Sequence, residues 1–466
     1  MPRFSPRTPA PSRRLLWLAA LAVAPALTLA FYRETWLLPG IGIALATGVV
    51  AAVDLVRGRR RIGAFSAELP DSARATKGRL IELPVAVTAD PPDMPGAPPL
   101  RLALRWGEAF AAESEAVGIE APAAGKPARG VMAAQALRRG RFRIGAVYAE
   151  CRSPLGLWDC RGVAAADCEA RIFPSLAADR RALAALFLRR GDAGLHAVRQ
   201  VGKGRDFEQL REYQPGDDYS DIYWKATAKR GYPVTKMYQI ERTQEVYVAI
   251  DHSRLAARPI HLPEELAASG TQSAVVTTQL ERFLQCALAM GLAAETQGDH
   301  FGLASFADRA DAFIRAGSGK AHYNACREAI YALEPLPKSP DFEEAFMFFK
   351  THLTRRALLI VLTDLSDPLT AEAFTEAARL ISRHHVVLVN MVQPENARPL
   401  FSAAAAESGV PADLHAELGG HFLWQELLEV GKRLGQQNIG FATPKAGSLT
   451  AEVVSQYLNV KRRQLL

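Results

Sequence analysis

The chain has 466 residues, enough for two or three domains, and carries a formal net charge of +7. The whole excess lies in residues 1–61, where nine arginines face Glu34 and Asp54, so residues 62–466 are formally neutral. Because a nucleic-acid binder concentrates basic charge on its folded domain, this distribution disfavours a nucleic-acid partner. The five cysteines include no Cys-x-x-Cys pair, which disfavours a disulfide framework or a zinc site and favours free thiols in a reducing compartment.

Two uncharged stretches of eighteen residues, 15–32 and 36–53, stand near the start of the chain. Each of them, with its flanks, can cross a bilayer core, for which about 20 helical residues are needed. Only residues 33–35 separate the two stretches, so the pattern predicts a two-helix transmembrane hairpin. Asp54 follows the second stretch and is interpreted as a flanking residue only.

Arginines flank both outer ends of the hairpin, at residues 13–14 and 57–61. The positive-inside rule then predicts two spans with both termini and the soluble domains in the cytoplasm. The alternative is a cleaved signal peptide with residues 13–14 as its basic region. A second apolar span directly behind the first disfavours that alternative.

Apolar and polar residues alternate after the hairpin, over 80–87, 101–106 and 141–148. This period of two is typical of strands and, with turn signals between them, predicts a small β-sandwich over residues 62–175. We find no catalytic constellation in it and interpret it as a spacer or an interaction module. Residues 176–245 are interpreted as a connecting segment.

The connecting segment contains Gly202–Arg230, in which many charges and large aromatic rings stand together. A solvated loop does not need so many rings, and a buried strand could not carry so many unpaired charges. Gln214–Asp217 predicts a turn and Trp224–Lys229 a short helix. A well-capped linker helix is one interpretation of this stretch. The other is a clasp between domains, in which Tyr213 and Trp224 are buried and Arg211 or Lys225 pairs with Asp217 or Asp218.

Strands and helices alternate over residues 246–466, which predicts a doubly wound, mainly parallel sheet with helices on both faces. Ligands of such sheets bind beyond the carboxyl ends of the strands. Asp251 and Asp364 stand at two such ends, after the apolar runs 245–250 and 357–362.

Asp251-His252-Ser253, together with Thr363-Asp364, resembles the ligand motif of von Willebrand factor A domains. The resemblance implies that Asp251, Ser253 and Asp364 are candidate ligands of Mg²⁺, an ion that prefers hard oxygen ligands. Position 255, where the motif has a second serine, is Leu255, and Arg254 before it is a cation. The competing interpretation is that Asp251 and Asp364 cap helices and pair with Lys225 or Arg254.

Over nearly its whole length the chain also resembles the bacterial "domain of unknown function 58" family, which is often associated with MoxR-type AAA+ ATPases. The motifs that carry the resemblance are Leu210-Arg211-Glu212-Tyr213, Pro215-Gly216-Asp217-Asp218, Trp224-Lys225, Ser153-Pro154-Leu155-Gly156-Leu157, Ile172-Phe173-Pro174 and Tyr457-Leu458. Ser220 and Tyr223 depart from the family pattern. The resemblance implies that the interaction residues are Arg211, Tyr213, Gly216, Asp217, Asp218, Trp224 and Lys225.

These features predict a protein without enzymatic activity, anchored in the bacterial inner membrane, that binds other proteins. The resemblance implies a MoxR-type ATPase as partner and a role in the assembly or maturation of other proteins. The alternative is a metal-dependent hydrolase or transferase that uses Asp217, Asp218 and Asp251.

Overall fold

The computed structural model describes residues 2–32, 37–90, 99–120, 122, 127–189, 201–202, 206–214, 218–239, 244–262, 275–400 and 414–463. The chain divides into two compact units, residues 1–175 and 176–466. Each unit has its own hydrophobic core, and each is described here by itself.

The first unit begins with apolar helices. They are α1 (Arg13–Leu18), a π-helical segment (Ala19–Val23), α2 (Ala24–Tyr32) and α3 (Leu37–Gly63). Among the described residues, only α3 is a single helix long and apolar enough to cross a membrane. Large apolar side chains along these helices are exposed, including Trp17, Leu38 and Leu45. Such a surface is unusual on a soluble protein and indicates membrane association. The two-span hairpin stays a prediction, since residues 33–36 lie outside the described ranges.

Two sheets form the rest of the first unit. Their strands are β1 (Ser5–Pro6), β2 (Ala10–Pro11), β3 (Phe65–Glu68), β4 (Ser72–Thr76), β5 (Leu80–Ala89), β6 (Leu100–Leu104), β7 (Phe110–Ala112), β8 (Val117–Ile119), β9 (Ala128–Ala136), β10 (Gly140–Arg152) and β11 (Trp158–Phe173). One sheet has the order β1-β11-β10-β6-β8, with β2 and β4 also paired to β11, and the other has the order β3-β5-β9-β7. Alternate residues of both sheets, such as Leu83 and Leu102, fill one core, as expected for a β-sandwich.

Asp54 ties α3 to the sandwich and is not the simple flanking residue that the sequence suggested. Its side chain is buried and accepts hydrogen bonds from Ser153 Oγ (2.5 Å), Leu155 N (2.8 Å) and Leu157 N (3.2 Å). The flank interpretation is wrong because α3 continues beyond its apolar part and lies against the turn between β10 and β11. At Gly58 the helix comes so close that a Cβ atom would overlap Cys160 Sγ. The turn is the Ser153–Leu157 motif, so part of the family resemblance has a structural explanation.

The second unit alternates helices and strands. Its helices are α4 (Ala177–Arg189), α5 (Trp224–Arg230), α6 (Gln279–Thr296), α7 (Lys320–Ile330), α8 (Phe342–His352), α9 (Pro368–Ser382), α10 (Leu414–Gln436) and α11 (Leu449–Arg462). Its strands are β12 (Val201–Gly202), β13 (Asp206–Glu212), β14 (Val234–Gln239), β15 (Glu245–Asp251), β16 (Pro259–Leu262), β17 (Val275–Thr278), β18 (His300–Phe306), β19 (Ala310–Gly317), β20 (Leu358–Leu362), β21 (Val386–Asn390) and β22 (Gly440–Ala442).

The main sheet of this unit has the order β19-β18-β15-β20-β21-β22, and only β19 runs antiparallel to its neighbour. This is the doubly wound order 3-2-1-4-5-6, with an antiparallel edge strand. The sequence pattern does not reveal β19 and β22. Both are edge strands, and neither shows the continuous apolar run that reveals a central strand such as β20. All five cysteines are buried free thiols, as predicted.

A buried ionic cluster joins α4, α6 and α11. Arg282 Nη2 lies 3.2 Å from Asp179 Oδ1, and its Nη1 donates to Asp179 Oδ2 at 3.3 Å. Thr450 Oγ1 donates to the same carboxylate at 2.5 Å. Both charged side chains are about as buried as the core, at 2% and 3% exposure. Because a buried charge must be paired, this cluster fixes how the two terminal helices of the unit dock on α6.

We expect Asp54→Ala to destabilise the first unit by about 2–4 kcal/mol, because it leaves three donors without their acceptor. The measurement is thermal unfolding of the full-length protein in detergent, combined with limited proteolysis of the Ser153–Leu157 turn. Asp71→Ala is the matched control, since its side chain is exposed. Equal stability of the two variants would contradict the anchoring role of Asp54.

We expect Asp179→Ala to cost about 3–5 kcal/mol, because it leaves the buried Arg282 guanidinium unpaired. Thr450→Val removes one hydrogen bond and should cost only about 1 kcal/mol. Denaturant unfolding of the full-length protein measures both changes, and the exposed Glu372→Ala is the control. If Asp179→Ala lowered the free energy of unfolding no more than the control does, the cluster would add no stability.

Candidate functional site

The predicted site residues meet at one edge of the main sheet. Strand β15 ends at Asp251, and β20 is followed directly by Thr363 and Asp364. The two strands are parallel neighbours, with Ile250 paired to Leu362, so their carboxyl ends lie side by side. Both strands are buried almost throughout, because helices cover both faces of the sheet. The edge is therefore a rigid frame for the loops that leave it.

Asp251 is fully buried and lies at the centre of this edge. Its Oδ2 accepts a hydrogen bond from Thr363 Oγ1 at 2.6 Å, and its Oδ1 accepts one from Ser253 N at 2.8 Å. Burial raises the pKa of the Asp251 carboxyl above its usual range, while these hydrogen bonds oppose the shift. Asp251 thus joins the loop after β15 to the loop after β20.

Asp364 is held differently, by a cation. Arg258 Nη1 lies 3.2 Å from Asp364 Oδ2 and 3.3 Å from Ser366 Oγ, and Ser366 N donates to Asp364 Oδ1 at 2.9 Å. The Asp364 side chain is 4% exposed, whereas that of Arg258 is 46% exposed. The competing interpretation of the sequence is wrong in its details: Ser253 and Asp367, not Asp251 and Asp364, cap the helical segments that follow, and the cation paired with Asp364 is Arg258.

Arg254 and Asp341 have structural roles beside this edge. Arg254 Nε donates to Ser339 Oγ at 3.1 Å, and Arg254 N donates to Lys338 O at 2.9 Å. Asp341 caps the start of α8 by accepting a hydrogen bond from Glu344 N at 3.0 Å. These contacts join the loop after β15 to the loop that precedes α8.

His252 contributes a further buried polar group that the sequence analysis did not single out. Its Nδ1 lies 2.8 Å from Phe306 O, and its Nε2 lies 2.9 Å from Asp311 Oδ2. Both ring nitrogens therefore lie within hydrogen-bond distance of an oxygen atom of the β18–β19 pair. His252 therefore fixes the loop after β15 to the antiparallel β18–β19 pair.

The residues at this edge do not fit a magnesium ion as they stand. Mg²⁺ needs oxygen ligands in near-octahedral geometry, and each Asp251 oxygen already uses one of its lone pairs to accept a hydrogen bond. Leu255 offers no side-chain oxygen, and the Arg258 guanidinium lies against Asp364. Among the described residues, no group of three or more His, Cys, Asp or Glu side chains could hold a metal ion. Magnesium binding by Asp251, Ser253 and Asp364 stays a prediction.

The signature stretch forms a small separate layer of the second unit. Strands β13 and β14 pair antiparallel, and a 3-10 turn, Tyr219–Asp221, and α5 connect them. The predicted short helix is confirmed by α5. The turn predicted at 214–217 lies largely outside the described residues, which include neither Gly216 nor Asp217.

The prediction that Trp224 is buried is wrong, because its side chain is 62% exposed. Trp224 is the first residue of α5, a seven-residue helix that buries none of its side chains. Ile222 and Val234 anchor the stretch instead, through a bridge between Ile222 and Thr235. Tyr213 is partly buried and packs edge-to-face on Tyr219, with ring centroids 6.3 Å apart.

The polar residues of the stretch make local contacts. Arg211 Nη1 donates to Gln214 Oε1 at 2.7 Å, and Asp218 Oδ1 accepts from Ser220 N at 3.1 Å. Lys225 is exposed. The predicted pairing of Arg211 or Lys225 with Asp217 or Asp218 stays a prediction.

Arg258, which pairs with Asp364, is the residue of this edge that the sequence did not reveal. It lies five residues beyond Ser253, the last residue of the metal-like motif, and nothing in its local sequence indicates that it reaches Asp364, 106 positions away. The one available signal was negative: Leu255 stands where the motif has a second serine, and Arg254 before it is a cation that would repel a metal ion. That signal indicated a missing ligand without identifying the cation that pairs with Asp364.

Residues 209–400 match the family model described as "Protein of unknown function DUF58". No curated protein matches the chain. Among solved structures, the conserved hypothetical protein BatB from Bacteroides thetaiotaomicron is 17% identical, with 47% of this chain and 99% of that chain covered and a TM-score of 0.29. An aerotolerance-related membrane protein from Bacteroides fragilis is 14% identical, with 46% and 98% covered and a TM-score of 0.27. With TM-scores this low, neither likeness supports an inference, and the fold assignment rests on the strand order.

We expect Asp251→Asn to be at least as stable as the wild type at pH 7. The amide keeps an acceptor for Ser253 N and offers a donor to Thr363 Oγ1, while it removes a buried charge. Because the folded-state pKa of Asp251 is raised, its protonated form favours folding and the wild type loses stability as pH rises through that pKa. The stability difference between Asp251→Asn and the wild type should therefore shrink as the pH falls toward the ordinary pKa of a carboxyl group.

Thermal unfolding of both full-length proteins across that pH range measures the difference. Thr363→Val is the companion variant, which removes a donor to Asp251 and should destabilise the protein by about 1–2 kcal/mol at pH 7. A large loss of stability in Asp251→Asn at pH 7 would contradict this account of the buried carboxylate.

Proposed function

We propose that this chain, whose residues 209–400 match the DUF58 family model, is a membrane-anchored protein that binds another protein at the carboxyl edge of its main sheet. In this function it is a scaffold and not an enzyme. The observation that carries the proposal is the construction of the edge. Buried hydrogen bonds of Asp251 and Asp364 hold two loops rigidly, and exposed side chains project beside them. Arg254, Arg258 and Leu369 are such side chains, and Leu369 is 76% exposed.

A rigid edge of this kind suits protein recognition. Loops fixed by a buried frame lose little conformational entropy on binding. Arginine and apolar side chains that project from such loops can contact a partner without rearrangement of the core. By contrast, the carboxylates themselves are buried and engaged, which leaves them little capacity to contact a substrate.

The proposed anchor consists of two spans, with both termini and the soluble domains in the cytoplasm of a bacterial cell. The exposed apolar surface of α2 and α3 supports membrane insertion. The arginines at 13–14 and 57–61 support the orientation, because basic flanks stay on the cytoplasmic side.

The proposed partner is a MoxR-type AAA+ ATPase, with which the protein would assist the assembly or maturation of other proteins. Support comes from the resemblance of the motifs around residues 210–225 and 153–157 to the ATPase-associated family. The rival function, a hydrolase or transferase that uses Asp217, Asp218 and Asp251, gains no support from Asp251, which is fully buried. If that rival were correct, Asp217→Ala would abolish a turnover while leaving folding intact.

We expect full-length tagged protein, extracted from membranes in detergent with Mg²⁺ and ATP present, to recover a MoxR-type ATPase. Leu369→Ala should lower the recovery about five-fold, because it removes apolar surface from the proposed binding edge. The matched control is Leu428→Ala, an exposed leucine of α10. Quantitative mass spectrometry of the recovered proteins measures both. Failure to recover such an ATPase under any nucleotide or magnesium condition would refute the proposed partner.

A further inference from the structure

The cation at the carboxyl edge of the main sheet is a side chain of the chain itself. Arg258 contacts the buried Asp364 and the hydroxyl of Ser366 through Nη1 alone. Its Nε and Nη2 have no hydrogen-bond partner within the part of the chain that the structure describes. With 46% of its side chain exposed, Arg258 is held on one side and open to solvent on the other.

The backbone fixes the position of Arg258 before any ligand arrives. Ser253 caps the 3-10 turn Arg254–Ala257 by accepting a hydrogen bond from Leu255 N, and Arg258 N donates to Leu255 O at 3.3 Å. Arg258 O accepts a hydrogen bond from Gln279 N at 2.9 Å, at the start of α6. The backbone of Arg258 is therefore held between the loop after β15 and the start of α6. This preorganises Arg258 for binding.

The open donors of Arg258 define the chemistry of a ligand. A guanidinium presents its N–H groups as a planar fork that matches the two oxygens of a carboxylate. Asp364 contacts only one of the three guanidinium nitrogens of Arg258, so the other two can still donate hydrogen bonds to a ligand. A second carboxylate can thus bind the Nε and Nη2 side without displacing the first.

We propose that Arg258 serves as the built-in cation of this edge, where it takes the place of a divalent metal ion and binds an acidic side chain of the partner protein. The proposal rests on the proposed function, because it names the chemistry by which the partner is recognised. It also accounts for the poor fit of the edge to Mg²⁺. The Arg258 guanidinium lies 3.2 Å from Asp364 Oδ2, where an ion bound to that carboxylate would need to be. The positive charges of the guanidinium and of a metal ion beside it would repel each other.

The first test concerns the metal and needs no partner. Thermal unfolding of the full-length protein in detergent is compared after EDTA treatment and in millimolar Mg²⁺ or Mn²⁺. We expect the melting temperatures to agree within about 1 °C, since an ion that does not bind the folded state cannot stabilise it. A clear rise with either ion would overturn the proposal.

The second test concerns the partner. Arg258→Gln should lower recovery of the ATPase from membranes at least about ten-fold, because it removes the charged fork. Arg258→Lys keeps the charge but not the fork and should give an intermediate loss. Arg355→Gln is the matched control, an exposed arginine at the amino-terminal end of β20. Recovery by the wild type should be the same with EDTA as with Mg²⁺ when no nucleotide is added.

The outcomes separate the two proposals. If no ATPase is recovered by any protein, the proposed partner fails, while the metal test still decides whether Arg258 replaces the ion. If the ATPase is recovered equally by the wild type and by a folded Arg258→Gln variant, the proposed function stands and the role of Arg258 is refuted. A circular dichroism spectrum and a melting temperature for each variant establish that it is folded.

Discussion

A buried carboxylate must receive hydrogen-bond donors or a cation, and this requirement joins distant parts of the chain at several points. Asp54 accepts donors from a turn about 100 residues away. Asp179 pairs with Arg282 and also accepts from Thr450. Asp251 accepts from Thr363, and Asp364 pairs with Arg258. In each case the carboxylate acts as a fixed point to which loops or helices from elsewhere in the sequence are attached.

The carboxyl edge of the main sheet shows how the same requirement shapes a binding surface. Burial makes the charge of Asp251 costly, and the hydrogen bonds that offset this cost also hold the loops in place. Asp364 is nearly as buried, but its balancing charge sits on a half-exposed arginine. The buried Asp364 therefore determines the position of Arg258, a cation that faces solvent. At this edge the positive charge beside Asp364 is supplied by a side chain of the chain itself.

The fold was more predictable than the site. Central strands such as β15 and β20 could be located because continuous apolar runs leave few alternatives. Edge strand β19 was missed because its residues are only partly buried, and a half-polar strand resembles a loop. Trp224 was predicted to be buried because large rings are costly to expose. It begins a helix in which no side chain is buried, and the neighbouring Ile222 anchors the stretch instead. Local composition cannot show which of two neighbouring apolar side chains turns inward.

The sequence by itself determined the alternation of strands and helices over residues 246–466, the apolar amino-terminal helices, the alternation of the sandwich strands and the positions of Asp251 and Asp364 at strand ends. Each of these follows from periodicity or from hydrophobicity, which are properties of neighbouring residues. Only the tertiary structure decided that Asp54 anchors the sandwich to α3 and that Arg258 neutralises Asp364. These contacts join residues about 100 positions apart, and their partners are chosen by the packing of strands and helices, which brings one donor rather than another to a buried charge.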